Sequence, residues 1–115
     1  MKKKPVFLII ILTLTLPLAC TLAFAEHPTP ATKGKIHFNN PEFAGGKRAC
    51  NSCHPNGYGV KEAGTKSNFT LNGIQVDSLE EAVNMCIVNA NYGDALKVLA
   101  TEMQEIVSYI KSLGK

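Results

Sequence analysis

Cys50-Asn51-Ser52-Cys53-His54 constrains this 115-residue chain more than any other stretch. Two thiols separated by two residues and followed at once by an imidazole fit one turn of helix, with both sulfurs along one edge. C-x-x-C-H is the attachment pattern of c-type haem, in which the thiols add to the two porphyrin vinyl groups and the histidine becomes an axial iron ligand. Two other chemistries use C-x-x-C. A closed zinc site needs four ligands, and the sequence holds no second C-x-x-C and no H-x-x-x-H to complete one. A thioredoxin-like pair needs no adjacent histidine and sits in a βαβ pattern, which is missing here. The first expectation is therefore one covalent haem c, attached through Cys50 and Cys53 with His54 on the iron.

The amino-terminal end agrees with that expectation. Met1-Lys2-Lys3-Lys4 is a positive segment, Val6 to Leu18 is apolar apart from Thr and Pro, and Ala23-Phe24-Ala25 is a small-x-small cleavage pattern. Residues 1–25 read as a signal peptide that is removed on export, with the mature chain starting at Glu26. The apolar run is short and broken by Pro17, which weighs against a retained membrane anchor. Leu18-Ala19-Cys20 invites a lipoprotein reading, but Pro17 stands where such a site wants Leu. The expected location is the periplasm, with no stable membrane insertion after the signal is removed.

Export changes the charge and cysteine arguments. The formal net charge of +3 resides in Lys2, Lys3 and Lys4, and the remaining 90 residues carry nine positive and nine negative side chains. No basic patch points to nucleic acid, and no overall charge steers a partner strongly. Once Cys20 leaves, Cys50, Cys53 and Cys86 remain. Two are assigned to haem, so Cys86 is an odd thiol in an oxidising compartment. Ninety residues make one small domain, to which a buried macrocycle would lend apolar surface.

Along the chain, residues 26–30 with Pro28 and Pro30 read as a mobile leader, and residues 31–115 as the domain. Thr32 to Phe38 predicts a short helix, ended by Asn39-Asn40-Pro41. Phe43 to Gly46 and Pro55 to Gly59 read as loops on either side of the cysteine turn, and residues 60–77 as mostly loop wrapping a prosthetic group. A helix over 78–90 is capped by Asp77 or Ser78, with Ser78 and Glu81 as a capping box. Leu79, Val83, Cys86, Ile87 and Ala90 recur on its inner face, and Met85 lies off that stripe. Asn91-Tyr92-Gly93-Asp94 breaks it. A last helix starts near Thr101, capped by that residue, buries Met103, Ile106, Val107, Ile110 and Leu113, and ends at Gly114.

These residues resemble a family. Gly34-Lys35-x-x-Phe38 before the cysteine turn and Val107-x-Tyr109-Ile110-Lys111 in the last helix look like the first and last helices of a class I cytochrome c. The resemblance covers residues 31–114. It implies an all-α fold of three to four helices around one covalent haem, with Tyr109 against the first helix, and a redox role. One departure matters: members of this family carry a distal Met in the loop before the last helix, and residues 89–100 contain neither Met nor His. The run Ser78 to Cys86, then Gly93, Glu102-Met103 and Tyr109, is similar to haem domains of thiosulfate-oxidising cytochromes, a branch in which the cysteine at the position of Cys86 binds iron.

The distal ligand is thus open among several residues. Cys86 is on the apolar helix face, is the odd thiol, and would be stabilised as a thiolate by ferric iron; a small buried core residue is its other use. Met103 and Met85 are alternatives, as is an open iron near Asn89 or Asn91. His37 reads as a helix-surface residue and His27 as part of the solvated leader. The leading function is a periplasmic electron carrier exchanging single electrons with redox protein partners. The rivals are an enzyme or enzyme subunit in oxidation of sulfur compounds such as thiosulfate, and a haem-based binder of small ligands. No acid–base pair, nucleophile triad or second metal site accompanies the motif, which weighs against an independent enzyme.

Overall fold

The computed structural model describes residues 25–115. Residues 1–24 of the predicted signal segment, Cys20 among them, lie outside the described residues. Helix α1 spans Pro30–Asn39. Thr29 caps it, its Oγ1 accepting the Thr32 N–H at 3.2 Å, and Pro30 occupies the first turn, where a missing N–H costs nothing. The helix therefore begins at Pro30, inside the stretch 26–30 expected to be leader. Asn40 turns extended ahead of Pro41 and stops it.

A β-hairpin follows the cysteine region, formed by β1, Phe69–Leu71, and β2, Ile74–Val76, paired antiparallel with Phe69 opposite Val76. Asn72 and Gly73 join them, both at positive φ (51° and 81°), as a two-residue hairpin turn requires. The expectation of a small helical fold holds in its coarse form, with this hairpin added. Among the described residues the chain is mostly helical, with three α-helices, several 3₁₀ turns and one small two-stranded sheet. Within residues 60–77, expected to be mostly loop, six residues form the two strands, because Asn-Gly between two runs of alternating apolar residues specifies a hairpin.

Helix α2 spans Leu79–Asn89 and is capped as expected: Ser78 Oγ accepts the Glu81 N–H at 3.1 Å. The reciprocal arm of the box is displaced by one residue, since Glu81 Oε2 accepts from the Asp77 N–H. Helix α3 spans Thr101–Ser112. Its cap is Ala100 rather than Thr101, and no side chain accepts its first N–H groups. The helix ends at Ser112 with Leu113 as its cap, and Gly114 follows where a Cβ would lie 2.7 Å from the Lys61 carbonyl oxygen.

The core joins α1, α2 and α3 through Phe38, Leu79, Val83, Ile87, Met103, Ile106 and Ile110. Full burial of an Ile, Met or Phe side chain stabilises by about 1.5–3 kcal/mol, and Phe38, Ile87, Met103 and Ile106 are all essentially inaccessible. Helices α1 and α3 cross closely at Gly34, and Phe38 meets Tyr109 edge-on at 5.2 Å between ring centroids.

Two side chains of α1 converge on Glu105 of α3. His37 Nε2 lies 2.8 Å from Oε2 and Lys33 Nζ 3.4 Å from Oε1. Glu105 is buried, and the hydrogen bond from His37, then Lys33, holds its carboxyl below the ordinary carboxylate range against the opposing effect of desolvation. A carboxyl whose folded pKa is depressed contributes stability above its unfolded pKa and loses it as pH falls through the folded value. Glu105→Gln should therefore lower the unfolding temperature at pH 7 and flatten its decline under acid. An unfolding temperature that falls equally steeply with acid in both proteins would contradict this.

Candidate functional site

Cys50 begins a single 3₁₀ turn, Cys50–Ser52. The N–H groups of Cys53 and His54 both point to the Cys50 carbonyl oxygen, at 3.2 and 3.0 Å. The two thiols are thus presented from one turn, Cys50 half-buried and Cys53 exposed. Pro55–Gly57 forms the next 3₁₀ turn, with Asn56 and Gly57 at positive φ, and bends the chain back toward His54. The Asn56 N–H donates to Asn51 Oδ1 at 3.0 Å, which ties the two turns together.

His54 Nδ1 lies 2.9 Å from the Tyr58 carbonyl oxygen. A carbonyl only accepts, so Nδ1 carries the proton, which in a neutral imidazole leaves the lone pair on Nε2. This is the second partner that a metal-binding imidazole usually needs to fix its tautomer and ring orientation.

A cavity of about 320 Å³ opens beside this turn. That lies in the range of small-molecule and cofactor sites, roughly 300–1,000 Å³. Its walls are mainly apolar: Phe38 from α1, Val60, Phe69 from β1, Leu79 and Val83 from α2, and Ile106 and Ile110 from α3. Cys50, Cys53, His54 and Cys86 all line it. Asn91 lines it too, whereas Met85, Met103, His27, His37 and Asn89 do not. Met103 is fully buried in the helical core.

Burial pushes the Cys86 thiol above its ordinary pKa, and the neighbouring Cys53 adds to the shift. Cys50 is raised by burial as well, opposed by the Asn91 side chain, whose Nδ2 approaches Cys50 Sγ at 3.5 Å. Asn91 is nearly inaccessible at 4% exposure. Its N–H donates to the Cys86 carbonyl at 3.0 Å and its carbonyl accepts the Lys47 N–H at 2.8 Å. One residue therefore ties the end of α2 to the cysteine segment.

Asn84 does comparable work on the following loop. Its Nδ2 donates to the Leu96 carbonyl and its Oδ1 accepts the Leu96 N–H, both at 2.8 Å. This bidentate contact clamps the Leu96 backbone onto α2. The Asp94 N–H bonds the Ala44 carbonyl at 2.8 Å and holds the same loop to the segment before the cysteines. The loop in question contains no Met.

Among the described residues, no three His, Cys, Asp or Glu side chains converge closely enough to hold one metal ion. The four sequence-predicted site residues instead border a shared space. Chemically that space offers two adjacent sulfur nucleophiles, an imidazole nitrogen with a free lone pair, and a third thiol. No described helix is long and apolar enough to cross a membrane. Comparison of the chain with family models, with curated proteins and with solved structures found no match.

Proposed function

We propose that this chain is an exported monohaem cytochrome of the class I type that carries single electrons between redox partners in the periplasm. The observation that carries this reading is the cavity bordered at once by Cys50, Cys53, His54 and Cys86. The residues fit the group. Cys50 and Cys53 leave one turn with thiols available for thioether bonds, His54 presents Nε2 for iron, and the remaining wall is mainly apolar.

When bound, haem supplies a one-electron couple. The chain's own residues would tune it: His54 is oriented by the Tyr58 carbonyl, the apolar wall excludes water, and Cys86 is the proposed distal ligand. A thiol held above its usual pKa by burial favours the neutral form, and a ferric iron beside it would reverse that preference.

The protein produced in a host that matures c-type cytochromes should keep its colour with the polypeptide after acid–organic extraction, at one haem per chain. Cys50→Ala and Cys53→Ala should weaken or abolish maturation. Quantitative release of haem from the unaltered protein would refute covalent attachment. The presence of Cys86 on the cavity wall also favours the sulfur-oxidation reading, in which added thiosulfate would reduce the haem directly.

A further inference from the structure

Asn-Gly occurs twice among the described residues, at Asn56-Gly57 and at Asn72-Gly73. In this dipeptide no Cβ shields the glycine nitrogen from the preceding carboxamide. Both asparagines stand in turns at positive φ, 53° and 51°, and both are exposed. The fold treats their glycines differently.

Gly57 is buried. Its N–H donates to the His54 carbonyl at 2.9 Å, its carbonyl accepts the Val60 N–H at 3.0 Å, and a Cβ on it would lie 2.7 Å from Leu113 Cδ1. The Asn56 N–H is held as well, by Asn51 Oδ1 at 3.0 Å. Gly73 is exposed at the tip of the hairpin, where a Cβ would meet nothing within 4 Å. Among the described residues its N–H donates no hydrogen bond. One glycine nitrogen is tied into the chain, and the other is free to approach its neighbour's side chain.

We propose that Asn72 is a site of spontaneous deamidation, and that isoaspartate formed there loosens the hairpin wall of the cavity. The Gly73 nitrogen loses its proton and bonds to Asn72 Cγ, ammonia leaves, and a five-membered imide results. Water opens the imide at either carbonyl and gives aspartate or isoaspartate. The sum consumes one water and releases one ammonia, with nothing oxidised or reduced. Aspartate keeps the turn, because Asp-Gly suits it as Asn-Gly does. Isoaspartate inserts a methylene into the main chain, and a two-residue turn fixes the strand register only at its own length. Leu71 opposite Ile74 is the pair beside the turn, and Phe69, Thr70 and Leu71 of β1 all line the cavity. None of this depends on what occupies the cavity.

The test is to hold the purified full chain warm at mildly alkaline pH, folded and in urea, and to map its peptides by mass spectrometry. In the folded chain Asn72 should convert at least about tenfold faster than Asn56, the ratio that about 1.4 kcal/mol of extra barrier at Gly57 gives. In urea the two rates should converge. The isoaspartate form, separated from the unmodified chain by ion exchange, should unfold at a lower temperature. Asn72→Gly keeps a Gly-Gly turn without a carboxamide, and should hold its unfolding temperature through the same treatment. An Asn72 that survives in the folded chain, or is lost no faster than Asn56, overturns the proposal. A ratio that persists unchanged in urea also overturns it, because the fold would then not be the cause. An isoaspartate form as stable as the unmodified chain overturns the effect assigned to the hairpin.

Discussion

Gly34→Ala should unfold roughly 10 °C below the unaltered protein in a thermal melt. In an exposed helix interior the same change would be favourable, because Ala is a better helix former than Gly by about 1 kcal/mol. Here the space decides the sign. A Cβ on Gly34 would overlap the Glu105 carbonyl oxygen, lie 2.6 Å from the carbonyl carbon and 2.8 Å from Tyr109 Cβ. The first two atoms are backbone and no rotamer change relieves them. Overpacking of this kind costs typically 1–3 kcal/mol and occasionally more, and a clash with main chain belongs at the upper end. The net loss of about 2 kcal/mol or more is a large fraction of the stability of a small domain. Lys35→Ala, one residue along and exposed, should change stability by no more than about 0.5 kcal/mol. Equal unfolding temperatures for Gly34→Ala and the unaltered chain would show that α1 and α3 do not cross as closely as described.

This crossing also shows what a sequence discloses and what it withholds. Gly34 and Phe38 are four residues apart on one helical face, but the meeting of Tyr109 with that helix is what the family resemblance implies; Tyr109 is not part of the stripe Met103, Ile106, Val107, Ile110 and Leu113, so periodicity does not disclose it. The Ser78 cap is legible, since a hydroxyl three residues before a glutamate has a local geometric use. Glu105 is different. Nothing in its neighbourhood along the chain marks a buried carboxylate, because its partners Lys33 and His37 come from a helix nearly seventy residues away. Tertiary pairing also explains His37, read as a surface residue but half-buried against Glu105 and stacked beside Phe43 at 4.7 Å.

The site divides along the same line. Cys50, Cys53 and His54 follow from a local spacing, and Cys86 from its place on an apolar helix face. The hairpin wall is legible too, since Asn72-Gly73 is a turn signal with a stated backbone requirement, and the strand it folds back carries Phe69 and Thr70 to the cavity. Tyr58 had no such signal. It contributes a backbone carbonyl, which every residue possesses, so only the fold reveals that it orients His54. Asn84 in mid-helix was likewise an ordinary polar residue until Leu96 was brought to it, and Asn91, expected to break the helix or stand near an open iron, had no sign of the contacts it makes to Cys50 and Lys47.

Cys86→Ala should remove the low-spin thiolate signature from the ferric spectrum of the proposed holoprotein, leave haem attached through Cys50 and Cys53, and raise the reduction potential. The argument starts from placement. Cys86 lines the cavity; Met85, one residue earlier and about 100° away around the helix, does not, and Met103 is enclosed by the core. A thiolate stabilises ferric iron, so its loss shifts the couple toward the ferrous state or opens the iron to added ligands. Met103→Leu is a volume-conserving change that should cost less than about 1.5 kcal/mol of stability and leave the iron spectrum as it was. Asn91 shares the cavity wall and holds the end of α2 through the Cys86 carbonyl, so Asn91→Ala should loosen the thiol's position and broaden the ferric signal without abolishing it. Electron paramagnetic resonance of the ferric proteins decides among these outcomes. A wild-type spectrum retained in Cys86→Ala but lost in Met103→Leu or Met85→Leu would mean that a methionine is the ligand. It would also mean that the haem-bound chain repacks its helices relative to the arrangement described here, since neither methionine reaches the cavity as it stands.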